Sequence, residues 1–438
     1  MAEVVVDPLE VAVTAVAIDA VEDLSEPEVR RTVLTNGIPV VTERMPEARS
    51  VTTGFWVAVG GRDEEPPLAG ASHFLEHLVF KGTANRSARN IAESVEAVGG
   101  EMNAFTSREH TAYYTRLPAD ELGFGLDLLC EVLSEPALRE PEIDAEREVI
   151  LEELALSEDT PDDKVHSLLA EAVFPGHPLG REVLGDVNTV AALGRDEIAG
   201  FLDDHYRPEN VVIAAAGRLE HEDVVDGVKA FLDGLEPGSR LARHAPVSAP
   251  KPLVVHHRPS EQAHVAFGWR APNQADDDRF ALAIGNQVFG GGMSSRLFQE
   301  IREQRGLAYS VFSGSSLYTD SGLMMAYVGT APNRAREVKE LVEEQVDRLV
   351  NDGITEQERT VAIGYVIGSF LLSLEDSGSR MGRLGRAELS AGERLSVDEQ
   401  VERVRTVTVD DVHRVLRRVL SGPRSLAAVG PFDESIFN

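Results

Sequence analysis

His73, Glu76 and His77 stand at positions i, i+3 and i+4. On a helix, side chains at that spacing share one face. Two imidazoles so placed can hold one metal ion, and the carboxylate beside them can move a proton. That combination is suited to metal-assisted hydrolysis. The order H-x-x-E-H reverses the more familiar H-E-x-x-H and keeps the same chemistry. The surrounding run, Ala71 to Phe80, has amphipathic helical spacing. Gly60-Gly61 and Pro66-Pro67 before it allow an open approach loop.

A catalytic metal site of this kind needs three protein ligands and one open position. The acidic stretch Pro141 to Glu158 offers candidates, and a proline in its first turn favours a helix. Glu146, Glu148, Glu152 and Glu153 all qualify by type. Glu146 and Glu153 lie two turns apart on one face, but acidic helices commonly just face solvent, and spacing does not choose among the four.

The elements that must position these residues belong to a chain of 438 residues with 42% hydrophobic content, which is ordinary for a globular protein. No apolar run approaches the ~20 residues of a membrane helix. Val11 to Ile18 is apolar but follows Glu3, Asp7 and Glu10, the wrong flank for a secretion signal. The expectation is a cytoplasmic protein with no membrane partner. A formal net charge of -32 argues against nucleic-acid binding, which needs basic surface, and is compatible with attracting basic ligands. The single cysteine, Cys130, sits in a helix-like apolar pattern and reads as a buried thiol.

Residues 1–29 carry eight acidic and no basic residues and read as an acidic flexible tail. Thr32 to Val41 reads as a hairpin about Asn36-Gly37, and Val51 to Val59 as a strong strand. Residues 236–252 contain Pro237-Gly238, Pro246, Pro250 and Pro252, which is linker chemistry. This divides the folded chain into an N-terminal metal-binding domain, 30–235, and a C-terminal domain, 253–438. Each mixes strands and helices without regular crossovers. The predicted fold class is α+β, with two homologous halves, each a largely antiparallel sheet covered by helices.

The halves align as copies. Val79-Phe80-Lys81-Gly82 faces Val288-Phe289-Gly290-Gly291, and Glu146-Arg147 faces Glu358-Arg359. In that register His73, Glu76, His77 and Glu153 face Leu282, Gly285, Asn286 and Tyr365. The second copy keeps the pattern without the ligands, so the fold does not itself require H-x-x-E-H.

Three stretches resemble the pitrilysin-type inverzincin zinc metallopeptidases, in the short-chain branch of mitochondrial-processing-peptidase-like proteins. They are Gly70 to Thr83 (GASHFLEHLVFKGT), Asn103 to Glu109 (NAFTSRE) and Glu146 to Glu153 (EREVILEE). The resemblance implies one Zn2+ per chain, held by His73, His77 and Glu153, with Glu146 supporting the site. It implies that Glu76 takes a proton from an activated water and passes it to the leaving amine. It makes Asn103, Ala104 and Phe105 part of an edge strand that pairs with an extended peptide. It makes Arg302 and Tyr309 a substrate-binding pair, which in a homodimer completes the other subunit's site. Read from the residues alone, Arg302 is a surface charge and Tyr309 a packing aromatic.

The expected function is therefore a zinc metalloendopeptidase that cleaves short or unfolded peptides inside a closed dimer chamber. The alternatives are a non-catalytic core or partner subunit, and a dedicated maturation protease for one precursor peptide.

Overall fold

The computed structural model describes residues 29–232, 235, 237–390 and 394–437. The expected tail lies outside them except for Val29, which already pairs with Glu43. The strands are β1 (Val29–Val33), β2 (Pro39–Arg44), β3 (Ser50–Val57), β4 (Glu101–Thr106), β5 (Thr111–Pro118) and β6 (Val211–Gly217), then β7 (Leu253–His257), β8 (Ala263–Ala271), β9 (Ala308–Leu317), β10 (Gly322–Thr330) and β11 (Arg424–Gly430). The helices in the first half are α1 (Ala71–Val79), α2 (Ala88–Ala97), α3 (Leu122–Ser134), α4 (Glu140–Asp159), α5 (Pro161–Val173), α6 (Val187–Ala192), α7 (Arg195–His205) and α8 (His221–Leu232). Those in the second are α9 (Asp278–Phe289), α10 (Ala335–Asn351), α11 (Glu356–Ser373), α12 (Ser377–Leu389), α13 (Val397–Arg405) and α14 (Val409–Leu420).

Two sheets result. The first runs β1-β2-β6-β3-β5-β4 and the second β7-β11-β8-β10-β9. Each is antiparallel except for one parallel pair, β2 with β6 and β7 with β11. The α+β duplication is therefore explicit: β2, β3, β4, β5 and β6 correspond to β7, β8, β9, β10 and β11. The hairpin joining β1 to β2 turns through Asn36-Gly37, with Gly37 at φ 93°, a conformation only glycine adopts freely.

One face of each sheet carries its own half's helices. Phe55, Phe74, Leu75 and Leu129 lie in the first core, and Phe267, Leu282, Leu341 and Leu416 in the second. The opposite faces are covered by an exchange. Helix α5 of the first half packs on β8 and β11, where Val165, Leu169 and Val173 meet Ala266 and Ala427. Helix α12 of the second half packs on β2, β3 and β6, where Met381 and Leu384 meet Trp56 and Ala214. Glycines make the close approach possible. A Cβ at Gly54 would lie 2.5 Å from Met381 Sδ, and one at Gly268 would lie 2.7 Å from Val173 Cγ2. Burial of these apolar faces is the main force joining the halves.

Ionic contacts fix the join. Glu43, fully buried on β2, pairs with Arg380 and Arg383 of α12. Arg62 donates to Glu109 at 2.6 Å and holds Asp320 of the β9–β10 turn with both terminal nitrogens at 2.9 Å. Arg243, in the proline-rich connection, grips Asp63 at 2.7 and 2.8 Å. The connection has no helix or strand between Pro237 and Pro252, yet it is pinned to the first half rather than free.

Candidate metal centre

Helix α1 buries Phe74, Leu75, Leu78 and Val79. That seats the apolar side and leaves His73, Glu76 and His77 half-buried on the other. The helix starts at Gly70, whose φ of 96° and close approach to the Leu184 carbonyl suit no other residue. Its free N–H groups are met by Glu64, whose two oxygens accept from Gly70 N and Ser72 N at 2.8 Å each. Burial pushes the Glu64 carboxyl up to about 7, against the pull of those donors.

Helix α4 packs across α1 and brings in the acids. His73 Nε2 lies 3.7 Å and His77 Nε2 3.8 Å from Glu153 Oε2. Of the four glutamates left open by spacing, Glu153 is the one that converges with both histidines. Among the described residues these three form the one such group, with ligand atoms all within 4.8 Å of one another.

The residues fit a zinc ion. Tetrahedral Zn–N and Zn–O bonds imply ligand separations of roughly 3.3 Å, close to those observed. His77 Nδ1 donates to Glu146 Oε2 at 3.1 Å. A carboxylate only accepts, so Nδ1 holds the ring proton and Nε2 presents its lone pair toward Glu153. Glu146 is buried, and Lys81 Nζ holds its other oxygen at 2.6 Å. His73 Nδ1 is buried without a hydrogen-bond partner. Burial, with His77 close by, lowers the His73 pKa to about 4, which leaves the imidazole neutral and able to ligate. One nitrogen from each imidazole and a carboxylate oxygen of Glu153 thus converge on one small space.

Glu76 stands beside this group. Its Oε2 accepts from Thr106 Oγ1 at 2.5 Å, at the end of β4. Burial raises its pKa, opposed mainly by that hydrogen bond. Strand β4 pairs with β5 on one side and is the edge of the first sheet. Asn103 and Phe105 on it are exposed, and Ala104 is half-buried. Arg302 and Tyr309 come together in the second half, with the guanidinium 4.6 Å from the ring centroid. Arg302 lies on the π-helical turn Phe298–Gln304, and Tyr309, 81% exposed, on β9. No described contact joins either to the histidines. Cys130 lies half-buried on α3, and burial pushes its thiol up to about 12.

Sequence reading missed Glu64, Lys81 and Thr106 as supports. Lys81 and Thr106 lay inside the motifs already quoted. Glu64 carried no signal, since nothing local ties an acid to a helix starting seven residues on.

The family described as insulinase, peptidase family M16, matches residues 39–187, and the peptidase M16 inactive domain matches residues 192–363. A protein of Streptomyces coelicolor named an uncharacterized zinc protease is 44% identical over 414 residues, covering 93% of this chain and 90% of that one. The uncharacterized zinc protease YmxG of Bacillus subtilis is 37% identical, covering 92% and 98%. The chain belongs to peptidase family M16, the pitrilysin-type family. Solved structures agree on the fold. A peptidase M16 inactive domain from Pseudomonas fluorescens superposes with a TM-score of 0.87 at 21% identity, covering 93% of this chain and 99% of that one. A protease from Helicobacter pylori superposes at 0.86 and 23% identity, covering 92% and 99%. No helix among the described residues is long and apolar enough to cross a membrane.

Proposed function

We propose that the chain is a zinc-dependent endopeptidase acting on short or unfolded peptides. The observation that carries this is the convergence of His73, His77 and Glu153 on one small space with Glu76 beside it. The names of the curated relatives support it. When bound, zinc supplies Lewis-acid activation of water and of the scissile carbonyl.

The chain's own residues do the rest. Glu76 accepts the proton from the attacking water and returns it to the leaving amine. Burial raises its pKa, and Thr106 keeps the carboxylate aimed. Glu146 fixes the tautomer and orientation of His77, and Lys81 fixes Glu146. The outer edge of β4 has no neighbouring strand, and an extended peptide can pair there with little sequence demand, displacing Asn103 Oδ1 from the Ala104 N–H that it now accepts from at 2.8 Å.

Two chains closing face to face would form a chamber that admits only flexible peptides. In this reading Arg302 and Tyr309 of one protomer complete the site of its partner. Tyr309's exposure and its stacking on Arg302 support that role. An Arg can hold a peptide carbonyl, and a Tyr hydroxyl can support an oxyanion.

The test is cleavage of a mixed library of unstructured peptides by zinc-loaded wild type and Glu76→Gln, read by mass spectrometry. The expected result is cleavage by the wild type alone, with equal zinc content in both. Equal cleavage by both proteins would remove Glu76 as the base.

A further inference from the structure

A cleft of about 390 Å³ opens at the end of β4, where the first half meets α12 and the β9–β10 turn. Its charge is opposite to that of the chain as a whole. The ionisable side chains lining it include Arg108, Arg243 and Arg386, against a single acid, Glu109. Glu109 is already engaged by Arg62 and by Thr319 N and Oγ1. Arg243 is held by Asp63. Arg108 gives Nε to the Leu179 carbonyl and forms no ion pair among the described residues. Arg386 forms none either; its guanidinium stands 5.8 Å from the Trp56 ring centroid. Two guanidiniums therefore face this cleft without a counter-charge, in a protein of net charge -32.

His110, also in the lining, has its pKa lowered to about 4 by burial and by Arg386 and Arg243. Desolvation lowers Arg386 itself, although the side chain is open to the cleft. Guanidiniums in such a setting bind carboxylates through paired, charge-assisted hydrogen bonds.

The position ties the cleft to the candidate active site. Thr106 lines it and also bonds Glu76. Successive side chains on a strand point to opposite faces. A peptide paired along β4 would thus send alternate side chains toward α1, with Glu76, and toward α12, with Arg386. Phe105 marks the second face: its ring lies 5.6 Å from Trp56 and 5.8 Å from His110.

We propose that this cleft is a specificity subsite that takes a carboxylate of the peptide, held by Arg386 and Arg108. It lies within a few residues of the bond that is cut. The carboxylate comes from an Asp or Glu side chain or from the C-terminus. This rests on the peptidase reading above and adds a preference to it, contrary to what the net charge alone would favour.

The test separates the two. Equilibrium binding is measured to zinc-loaded Glu76→Gln protein, using peptide pairs that differ as Glu or Gln at each position in turn. Each pair is made with a free and an amidated C-terminus. The expected result is about tenfold tighter binding of the Glu peptide at one register, or of the free-acid peptides, reduced to near parity by adding Arg386→Gln and partly restored by Arg386→Lys. Restriction to the free-acid peptides assigns the C-terminus as the source; restriction to one internal register assigns a side chain. Equal affinity within every pair overturns the subsite, even if the wild type cleaves peptides. Arg386-dependent binding with no cleavage by the wild type would leave the subsite standing and remove the peptidase reading.

Discussion

His77 donates Nδ1 to Glu146 at 3.1 Å while its Nε2 faces Glu153 at 3.8 Å. One imidazole thus faces two acids that lie two turns apart on α4. Glu146→Gln keeps the side-chain shape and can present an amide to Nδ1, which removes the preference for the Nε2 lone pair. Zinc affinity should fall about 10–100-fold, read by competition with a chromophoric chelator. Glu153→Ala should lose more, since it removes one of the three proposed ligands. Unchanged affinity in both variants would break the assignment of α4 to the site.

Glu64 gives a pH signature. Its folded pKa of about 7 lies above its ordinary value of 4.5, so folding favours the protonated form. A raised folded pKa means that this contribution is complete below about pH 4.5 and is lost as pH rises toward 7. Wild-type stability relative to Glu64→Gln should fall across that window, by up to about 3 kcal/mol. Denaturant titrations of both proteins at pH 4.5, 6 and 7.5 measure it. A difference that grows with pH would show that the two N–H donors outweigh burial.

The exchanged helix tolerates no added bulk at Gly385. A Cβ there would lie 2.6 Å from Trp56 Cδ2, and closer still to Cε2. Trp56 is buried and also donates to Met381 Sδ at 3.1 Å, so it has little room to yield. Gly385→Ala should destabilise the chain by about 1–3 kcal/mol, visible in thermal melts. A neutral substitution would show that α12 can lift off the first sheet at no cost.

Arg62 joins Glu109 to Asp320 across the two halves, with its side chain 3% exposed. Arg62→Ala leaves Asp320 without its partner and Glu109 undercompensated. The expected loss is about 3 kcal/mol, measured by urea unfolding. A loss below about 0.5 kcal/mol would mean that water replaces the guanidinium without penalty.

Cys130 should behave as an inert thiol. With its pKa pushed up to about 12, its thiolate population near neutrality is very small. Alkylation by iodoacetamide at pH 8 should be about a hundredfold slower in the folded protein than in urea. Equal rates would show that α3 opens readily.

The sequence by itself determined the chemistry and the symmetry. The i, i+3, i+4 spacing of His73, Glu76 and His77 places them on one face of any helix, because helical periodicity is a local property. The duplication was legible because matching apolar patterns persist in both halves, while Leu282, Gly285 and Asn286 stand where His73, Glu76 and His77 would be. The edge position of β4 and the choice of Glu153 among four glutamates were not legible from local pattern. They depend on which strand ends the sheet and on how α4 crosses α1, and both are set by packing between segments distant in the chain. The exchange of α5 and α12 was equally hidden. An amphipathic helix records that it has an apolar face, not which sheet will bury it. The cationic cleft is the clearest case. Arg108, Arg243 and Arg386 lie far apart in an acidic chain, and only the joining of the halves gathers them beside Thr106.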